Sequence, residues 1–78
     1  MMRLIIEIKG MECEGCKARI NRLLKKMKGI LNVNIELKEG KAYVDVDNRV
    51  DLANIEREIR NKINGAGYLV GEIKELES

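Results

Sequence analysis

The two cysteines of the chain, Cys13 and Cys16, are separated by two residues in the segment 10–16, GMECEGC. Thiols at this spacing can bind one soft metal ion together, or they can form a disulfide with each other. A closed structural zinc site needs four protein ligands, and this chain has two cysteines and no histidine. The pair therefore favours an open, exposed site from which a metal ion can be exchanged.

The surroundings of Cys16 favour its ionised form. The apolar pattern that follows predicts a helix with Cys16 in its first turn, where backbone N–H groups stabilise a thiolate, and Lys17 acts in the same direction. Glu12 and Glu14 act against it. We expect Cys16 to ionise more readily than a free cysteine, and the thiolate is the form that binds metals.

The composition limits the classes of function. A chain of 78 residues is long enough for one domain with a thin core, here built from Ile, Leu, Val and Met, so we expect a single domain spanning residues 1–78. The net charge of +2 gives no overall basic field, and no nucleic acid partner is predicted from it. The high charged fraction of 36% resembles that of proteins from hot-living organisms, which predicts a thermophilic source.

No apolar run is long enough for a signal peptide or a membrane span, so we predict a cytoplasmic protein without membrane insertion. In a reducing compartment a close cysteine pair favours metal binding or redox chemistry over a structural disulfide.

The hydrophobic pattern predicts six elements. Apolar residues at every second position predict strands, and apolar residues at spacings of three and four predict helices. Glu39-Gly40 is typical of a hairpin turn. The predicted ranges are a strand over 3–9, a helix from about 14 to 28 closed by Gly29, strands over 32–38 and 42–47, a helix capped by Asp51 and ended by Asn64-Gly65, and a strand over 68–74. The acidic tail 72–78 is expected to fray. The order β-α-β-β-α-β predicts a ferredoxin-like α+β sandwich, with a four-stranded antiparallel sheet and both helices on one face.

Four features of the chain together resemble the heavy-metal-associated domain family. They are the motif Gly10-Met11-x-Cys13-x-x-Cys16 after the first strand, the Lys28-Gly29-Ile30 turn, the hairpin 38–41 and the Gly67-Tyr68-x-Val70 ending. This family includes copper chaperones and the amino-terminal domains of metal-transporting P-type ATPases. The resemblance implies that Cys13 and Cys16 are the metal ligands, that Met11 lies under the loop in the core, and that Tyr68 lies beside the site as in bacterial copper chaperones. On the simpler interpretation, Met11 is an ordinary core residue and Tyr68 is a half-buried aromatic side chain on a sheet edge.

The residue before Cys13 bears on which metal is bound. Copper-binding relatives commonly have a small hydroxyl residue there, whereas Glu12 resembles the Asp of relatives that export zinc, cadmium or lead. A carboxylate could be a third ligand for a divalent ion, while beside a Cu(I) dithiolate it would add repulsion. Alternatively, Glu12 is solvated and favours the helix start. We expect Cu(I) as the bound metal, with Zn(II) or another divalent ion as the alternative.

The predicted first helix carries basic residues without an acidic one among them, namely Lys17, Arg19, Arg22, Lys25, Lys26 and Lys28. We call these six residues the basic face. Charge of one sign beside a transfer site attracts an oppositely charged partner. The expected partner is a metal-transporting P-type ATPase or another acceptor with an acidic face. RNA is disfavoured, because RNA-binding sheets of this fold stack bases on aromatic residues and this sheet offers only Tyr43.

Two classes of function remain open: a carrier that delivers metal, and a binding or sensing module of a larger transporter. A chain that begins at Met1-Met2 and ends in a charged tail favours the free-standing carrier, as a monomer or as a dimer bridged by metal. A thiol-disulfide redox protein is disfavoured, because the chain has no proline and no aromatic residue before Cys13. No nucleophile with a partner base can be identified, so an enzyme is not expected.

Overall fold

The computed structural model describes residues 2–77, which form four strands and two helices in the predicted order. The elements are β1 (Met2–Lys9), α1 (Glu14–Lys25), β2 (Ile30–Glu36), β3 (Lys41–Val46), α2 (Leu52–Gly65) and β4 (Leu69–Glu77).

The four strands form one sheet in the order β2-β3-β1-β4, and every neighbouring pair is antiparallel. The central strand β1 pairs with β3 on one side, as in Leu4 opposite Val44, and with β4 on the other, as in Leu4 opposite Glu75. The predicted ferredoxin-like sandwich is confirmed.

The core lies between the sheet and the two helices. Alternate residues of β1 (Leu4, Ile6 and Ile8) join the inward stripes of both helices in one apolar cluster. The largest fully buried side chains are Leu4, Ile6, Ile20, Leu24, Ile59, Ile63, Val44 and Val46. Each such side chain contributes roughly 1.5–3 kcal/mol by its burial. This aliphatic core holds the end of β1 and the start of α1 in a fixed relation, and the two cysteines lie between them.

The first helix is shorter than predicted. It ends at Lys25, with Lys26 as its C-cap, so the prediction that it continues to Lys28 was wrong. Gly29, at φ +89°, lies beyond the helix in the turn that leads into β2, and a Cβ atom on it would overlap Val50. The segment after the helix brings Gly29 close to Val50, which precedes α2, and to Ile55 within α2.

The boundaries of α2 and β4 also differ from the prediction. Asp51 caps α2 as expected, but the helix includes Gly65 and is followed by Ala66 and then Gly67 at φ +98°. The acidic tail does not fray before residue 77, because it continues β4 and pairs with β1, as in Leu76 opposite Arg3. Ser78 of the predicted tail lies outside the described residues.

The second strand begins at Ile30, two residues before the predicted start, and a register shift follows between Ile30 and Asn32. In residues 2–77, neither helix has the length and apolar character that a membrane-spanning segment needs.

Candidate metal site

The segment between β1 and α1 carries both cysteines. It begins with Gly10, whose φ of +91° turns the chain out of the strand. Met11 is only 3% exposed and belongs to the core cluster, so its side chain anchors the segment from below. Cys13 follows in extended conformation, with φ −136° and ψ 162°, and is the N-cap of α1.

The two sulfur atoms lie close together at the start of α1. The Sγ atoms of Cys13 and Cys16 are 2.8 Å apart, and both cysteines are free. The backbone N–H of Cys16 donates a hydrogen bond to the Sγ of Cys13 at 3.3 Å, in the position where a capping oxygen usually accepts. Cys13 is exposed and Cys16 is half-buried against the core. One sulfur thus faces solvent while the other is held by packing.

The surroundings of Cys16 lower its pKa to about 7. The largest cause is hydrogen bonding with Cys13, followed by hydrogen bonding with Tyr68, while partial burial opposes the shift. The backbone N–H groups of Glu12 and Cys13 add to the lowering. The expected ionisation of Cys16 is thereby supported, although neighbouring side chains contribute more to it than the helix start does.

Tyr68 lies directly before β4 and close to Cys16. Its pKa is raised by hydrogen bonding with the Cys16 sulfur, by burial and by the charge of that thiolate, while Arg19 opposes the shift. The ring is half-buried, and a Cβ atom on Gly10 would lie 3.8 Å from its Cδ1. The tyrosine therefore covers one side of the segment that bears the sulfur atoms.

The flanking carboxylates Glu12 and Glu14 are both exposed. Among residues 2–77 there is no group of three or more Cys, Asp, Glu or His side chains that could hold a metal ion together. Glu12 is adjacent to Cys13 in sequence, but its carboxylate does not complete a three-membered cluster with the two sulfur atoms.

The profile of the heavy-metal-associated domain family matches residues 5–68. The chain belongs to this family. The copper chaperone CopZ of Enterococcus hirae is 37% identical over 68 residues, which cover 86% of this chain and 93% of CopZ. Copper-transporting ATPase 2 of Rhizobium meliloti is 31% identical over 74 residues, which cover 94% of this chain and 8% of the ATPase. The solved structure of the yeast copper transporter domain Ccc2a has a TM-score of 0.77 at 26% identity, covering 99% of this chain and 97% of that domain.

In this heavy-metal-associated domain the basic face extends away from the cysteines along α1. Lys17, Arg19, Arg22 and Lys25 belong to the helix, and Lys17 is half-buried while the other three are exposed. Lys26 and Lys28 lie beyond the last helical residue, so the prediction that all six belong to one helix was wrong. Both are nevertheless exposed and close in sequence to Lys25.

The sequence analysis named Gly67 only in the ending that resembles the family and assigned no turn to it. It placed the end of α2 at Asn64-Gly65, whereas the residue with positive φ directly before Tyr68 is Gly67. The sequence offers two glycines near the end of this helix, Gly65 and Gly67. Only Gly67 has a positive φ, a conformation that glycine adopts readily.

Proposed function

We propose that this chain is a metallochaperone that binds Cu(I) through Cys13 and Cys16 and passes it on by thiolate exchange. The observation that carries the proposal is the pair of sulfur atoms 2.8 Å apart at an exposed helix start. Soft thiolates select Cu(I), which accepts few ligands. Two of the relatives have copper in their names and match nearly the whole of this chain, which supports the same metal here.

The geometry suits delivery better than storage. A buried site with four ligands would hold its metal ion, whereas two sulfur atoms at the surface leave room for the sulfur atom of an acceptor. In the proposed transfer an acceptor thiolate binds the Cu(I) ion first, after which Cys13 and Cys16 leave one at a time. Cys13 is the more exposed of the two and leaves room for the first exchange. The copper stays in the +1 state throughout, so no electron donor or acceptor is needed.

We propose a domain of a metal-transporting P-type ATPase, or another acceptor with an acidic face, as the partner. The basic face begins one residue after Cys16 and is mostly exposed, so it can attract acidic side chains while the two metal-binding loops approach. The proposed carrier is a monomer in a reducing compartment such as the cytoplasm, where both thiols stay free. It performs no catalysis, because the metal ion is its cargo.

The second candidate is a Zn(II) carrier, or a carrier or sensor of another divalent ion, that uses Glu12 as an additional ligand. It is favoured by one observation: the backbone N–H of Glu12 faces Cys16 closely enough to lower the pKa of that thiol. The attached carboxylate is exposed and forms no cluster of three with the two sulfur atoms in the described residues, so binding to a divalent ion would require its side chain to move.

The test is a titration of the fully reduced protein with Cu(I) and, separately, with Zn(II), each against a calibrated chelator. Molecular mass is measured at each step by native mass spectrometry. We expect one Cu(I) ion per chain, bound tightly by a monomer, and much weaker binding of Zn(II). The variant Cys13→Ser/Cys16→Ser is expected to lose both metals.

Retention of Cu(I) by the double serine variant would overturn the proposal. If the chelator competition shows that Zn(II) binds more tightly than two thiolates alone would bind it, the divalent carrier is favoured. A mass of two chains per Cu(I) ion would replace the monomer by a metal-bridged dimer.

A further inference from the structure

The sheet has two edge strands, β2 and β4. The strand β2 pairs on one side only, with β3, from Ile30 opposite Val46 to Glu36 opposite Lys41. In the described range 2–77, no hydrogen bond joins the backbone of residues 31–36 to a loop or to a side chain. One side of β2 therefore offers N–H and C=O groups with which another strand can pair.

The other edge strand, β4, is closed to such pairing by three features. Its register with β1 shifts within the strand. The side chain of Glu7 fills the space above Gly71, where an added Cβ atom would overlap the carboxylate. Glu72 and Lys74 are exposed and place charges along the strand. Irregular register and charged side chains are usual means by which an edge strand avoids pairing with another chain.

The strand β2 lacks these features over most of its length. Its register shift is confined to its start, so the pairing with β3 is regular from Asn32 to Glu36. Asn32 and Asn34 are exposed and uncharged, and Leu31 beside them is 58% exposed. Although 36% of the residues of this chain are charged, the run 29–35 contains none. Because the centres of protein interfaces are depleted of charge, this edge has the composition of a binding surface.

The charges of α1 select the kind of partner. α1 lies against β2, whereas α2 lies against β4. Residues 15–35, which include α1 after its first residue and β2 up to Ile35, contain no aspartate or glutamate, and the whole basic face lies in this range. An acidic segment paired with β2 therefore meets positive charge without an opposing carboxylate. A second copy bound through its own β2 would bring a second basic face beside the first, and like charges oppose that arrangement.

The open face of the sheet sets a different requirement for the added strand. Side chains of a strand alternate between two faces, so every second one would lie beside Asn32 and Asn34. A cavity of about 530 Å³ lies there, lined by these two residues together with Tyr43, Arg3 and Asp45. The Arg3 Nε donates to the Asp45 Oδ1 at 2.9 Å, so the two charges neutralise each other. Uncharged polar side chains suit this face, and acidic ones suit the face beside α1.

The edge of β2 leads towards the candidate metal site. Glu36 lies opposite Lys41, and Lys41 lies opposite Glu7 of β1. Glu7 precedes Gly10, where the segment with the cysteines begins, by three residues, which is about 10 Å along an extended strand. A partner paired with β2 is thereby held near the sulfur atoms without covering them.

We propose that β2 accepts an extended acidic segment of the metal acceptor as a fifth strand of the sheet. Its backbone pairs with residues 31–36, its acidic side chains lie beside the basic face, and its alternate side chains are uncharged. Main-chain pairing supplies affinity in this mode of recognition, and the alternate side chains supply specificity. The inference rests on the proposed function for the identity of the partner as a metal acceptor, whereas the pairing itself can be tested without metal.

The probe is a synthetic peptide of alternating Glu and Thr with blocked ends and seven residues, the length of β2. It is titrated at low ionic strength into the reduced, metal-free, ¹⁵N-labelled chain, and amide chemical shifts are followed by NMR. We expect the amides of residues 31–36 to shift and to exchange more slowly with solvent. The same peptide methylated at every backbone nitrogen keeps its charge but cannot pair, and it should bind about tenfold more weakly or less. A peptide of alternating Lys and Thr should not bind.

Two variants of the chain provide a matched comparison. Asn34→Asp replaces an exposed amide on β2 by a carboxylate of the same size, and Asn61→Asp makes the same change at an exposed position of α2. Both leave the core untouched, so both should fold. We expect Asn34→Asp to weaken binding of the Glu-Thr peptide by about threefold, because like charges on neighbouring strands repel each other. Asn61→Asp should leave the affinity within about the error of the measurement of the parent chain.

Several results would overturn the inference. Equal affinity of the methylated peptide would show that charge alone attracts it, and shifts confined to α1 would exclude pairing with β2. Equal weakening by Asn61→Asp would show that the net charge of the chain decides binding. Shifts of the β2 amides with protein concentration and no peptide would give this edge to a second copy. Failure of the proposed function is a separate result, namely Cu(I) binding that does not need the cysteines, and the peptide comparison contains no metal.

Discussion

Glu75 on β4 lies near enough to Glu56 on α2 to raise the pKa of the Glu56 carboxyl group. Glu75 lies opposite Leu4 in the register with β1, so it belongs to the sheet face that the helices cover. Within the described part of the chain, the Oε2 of Glu56 is buried and has no hydrogen-bond partner. Two carboxylates cannot hydrogen-bond to each other unless one carries a proton. We therefore predict that Glu56 takes up a proton in the folded protein and shares it with Glu75.

This pair predicts a dependence of stability on pH. The pKa of Glu56 is raised from 4.5 to about 7 by hydrogen bonding with Glu75, by burial and by the negative charge of Glu75, and Arg60 opposes the shift. Because the folded protein holds the proton more tightly than the unfolded chain, this stabilisation is fully present below pH 4.5 and is lost as the pH rises through about 7. Glu56→Gln should remove the dependence, because the amide can donate to Glu75 at any pH.

We expect Glu56→Gln to raise the melting temperature at about pH 8 by a few degrees and to change it little at about pH 5. This is the shift that roughly 1 kcal/mol produces in a domain of this size, with allowance for solvent screening because Glu75 is exposed. Circular dichroism at both pH values measures it. Glu58→Gln, on the exposed side of the same helix, is the matched control. Equal gains in both variants at both pH values would contradict the proton-sharing interpretation.

Gly29 is predicted to be intolerant of substitution. A Cβ atom there would overlap the Val50 side chain and lie 3.3 Å from the Cδ1 of Ile55, and the φ of +89° is itself unfavourable for other residues. Gly29→Ala should lower the free energy of unfolding by about 2 kcal/mol, because overpacking and backbone strain act together. Gly65→Ala should raise it by about 0.5–1 kcal/mol, because alanine is favoured within a helix. Urea unfolding of both variants measures the difference, and similar values for the two would refute the prediction.

Gly29 also illustrates which parts of the fold could be predicted from the sequence and which could not. Alternation in the strands and the stripes of the helices reflect local periodicity, so the six elements and their order followed from the residues themselves. The turn after α1 brings Gly29 close to Val50, more than 20 positions away in sequence, and local periodicity does not reveal such an approach. The tail of β4 is ordered by its pairing with β1, which the acidic composition of the tail does not reveal.

The candidate metal site could likewise be predicted only in part from the sequence. The spacing of Cys13 and Cys16 predicted that the two thiols meet, and their Sγ atoms are 2.8 Å apart. The neighbour relation of Tyr68 and Cys16 could be inferred only from the family resemblance, because it requires the packed positions of β4 and α1. The sequence analysis ended α2 at Asn64-Gly65, because nothing local distinguishes Gly65 from Gly67, and only the structure shows the positive φ of Gly67.

Coordination of the metal ion by Glu12 can be separated experimentally from the effect of its negative charge. If Cu(I) is held by the two cysteines alone, Glu12→Ala should leave the affinity for Cu(I) unchanged or raise it slightly, because a nearby negative charge is removed. Glu14→Ala is the matched control, since Glu14 is also exposed and lies on the other side of Cys13. Chelator competition with Cu(I) and with Zn(II) measures both variants. A loss of Zn(II) affinity of about tenfold in Glu12→Ala only would assign Glu12 to a divalent site.

Electrostatic attraction by the basic face predicts a transfer rate that depends on salt. The screening length falls from about 30 Å at 0.01 M ionic strength to about 3 Å at 1 M, so attraction between exposed charges is nearly lost over this range. We expect the rate of Cu(I) transfer to an acceptor domain with an acidic face to fall by about tenfold or more. Arg22→Glu and Lys25→Glu should each slow transfer at low salt and have little effect at high salt. Lys62→Glu makes the same change of charge on an exposed position of α2 and should have a smaller effect at either salt concentration. A transfer rate that does not change with salt, or equal slowing by Lys62→Glu, would show that the basic face does not guide the partner.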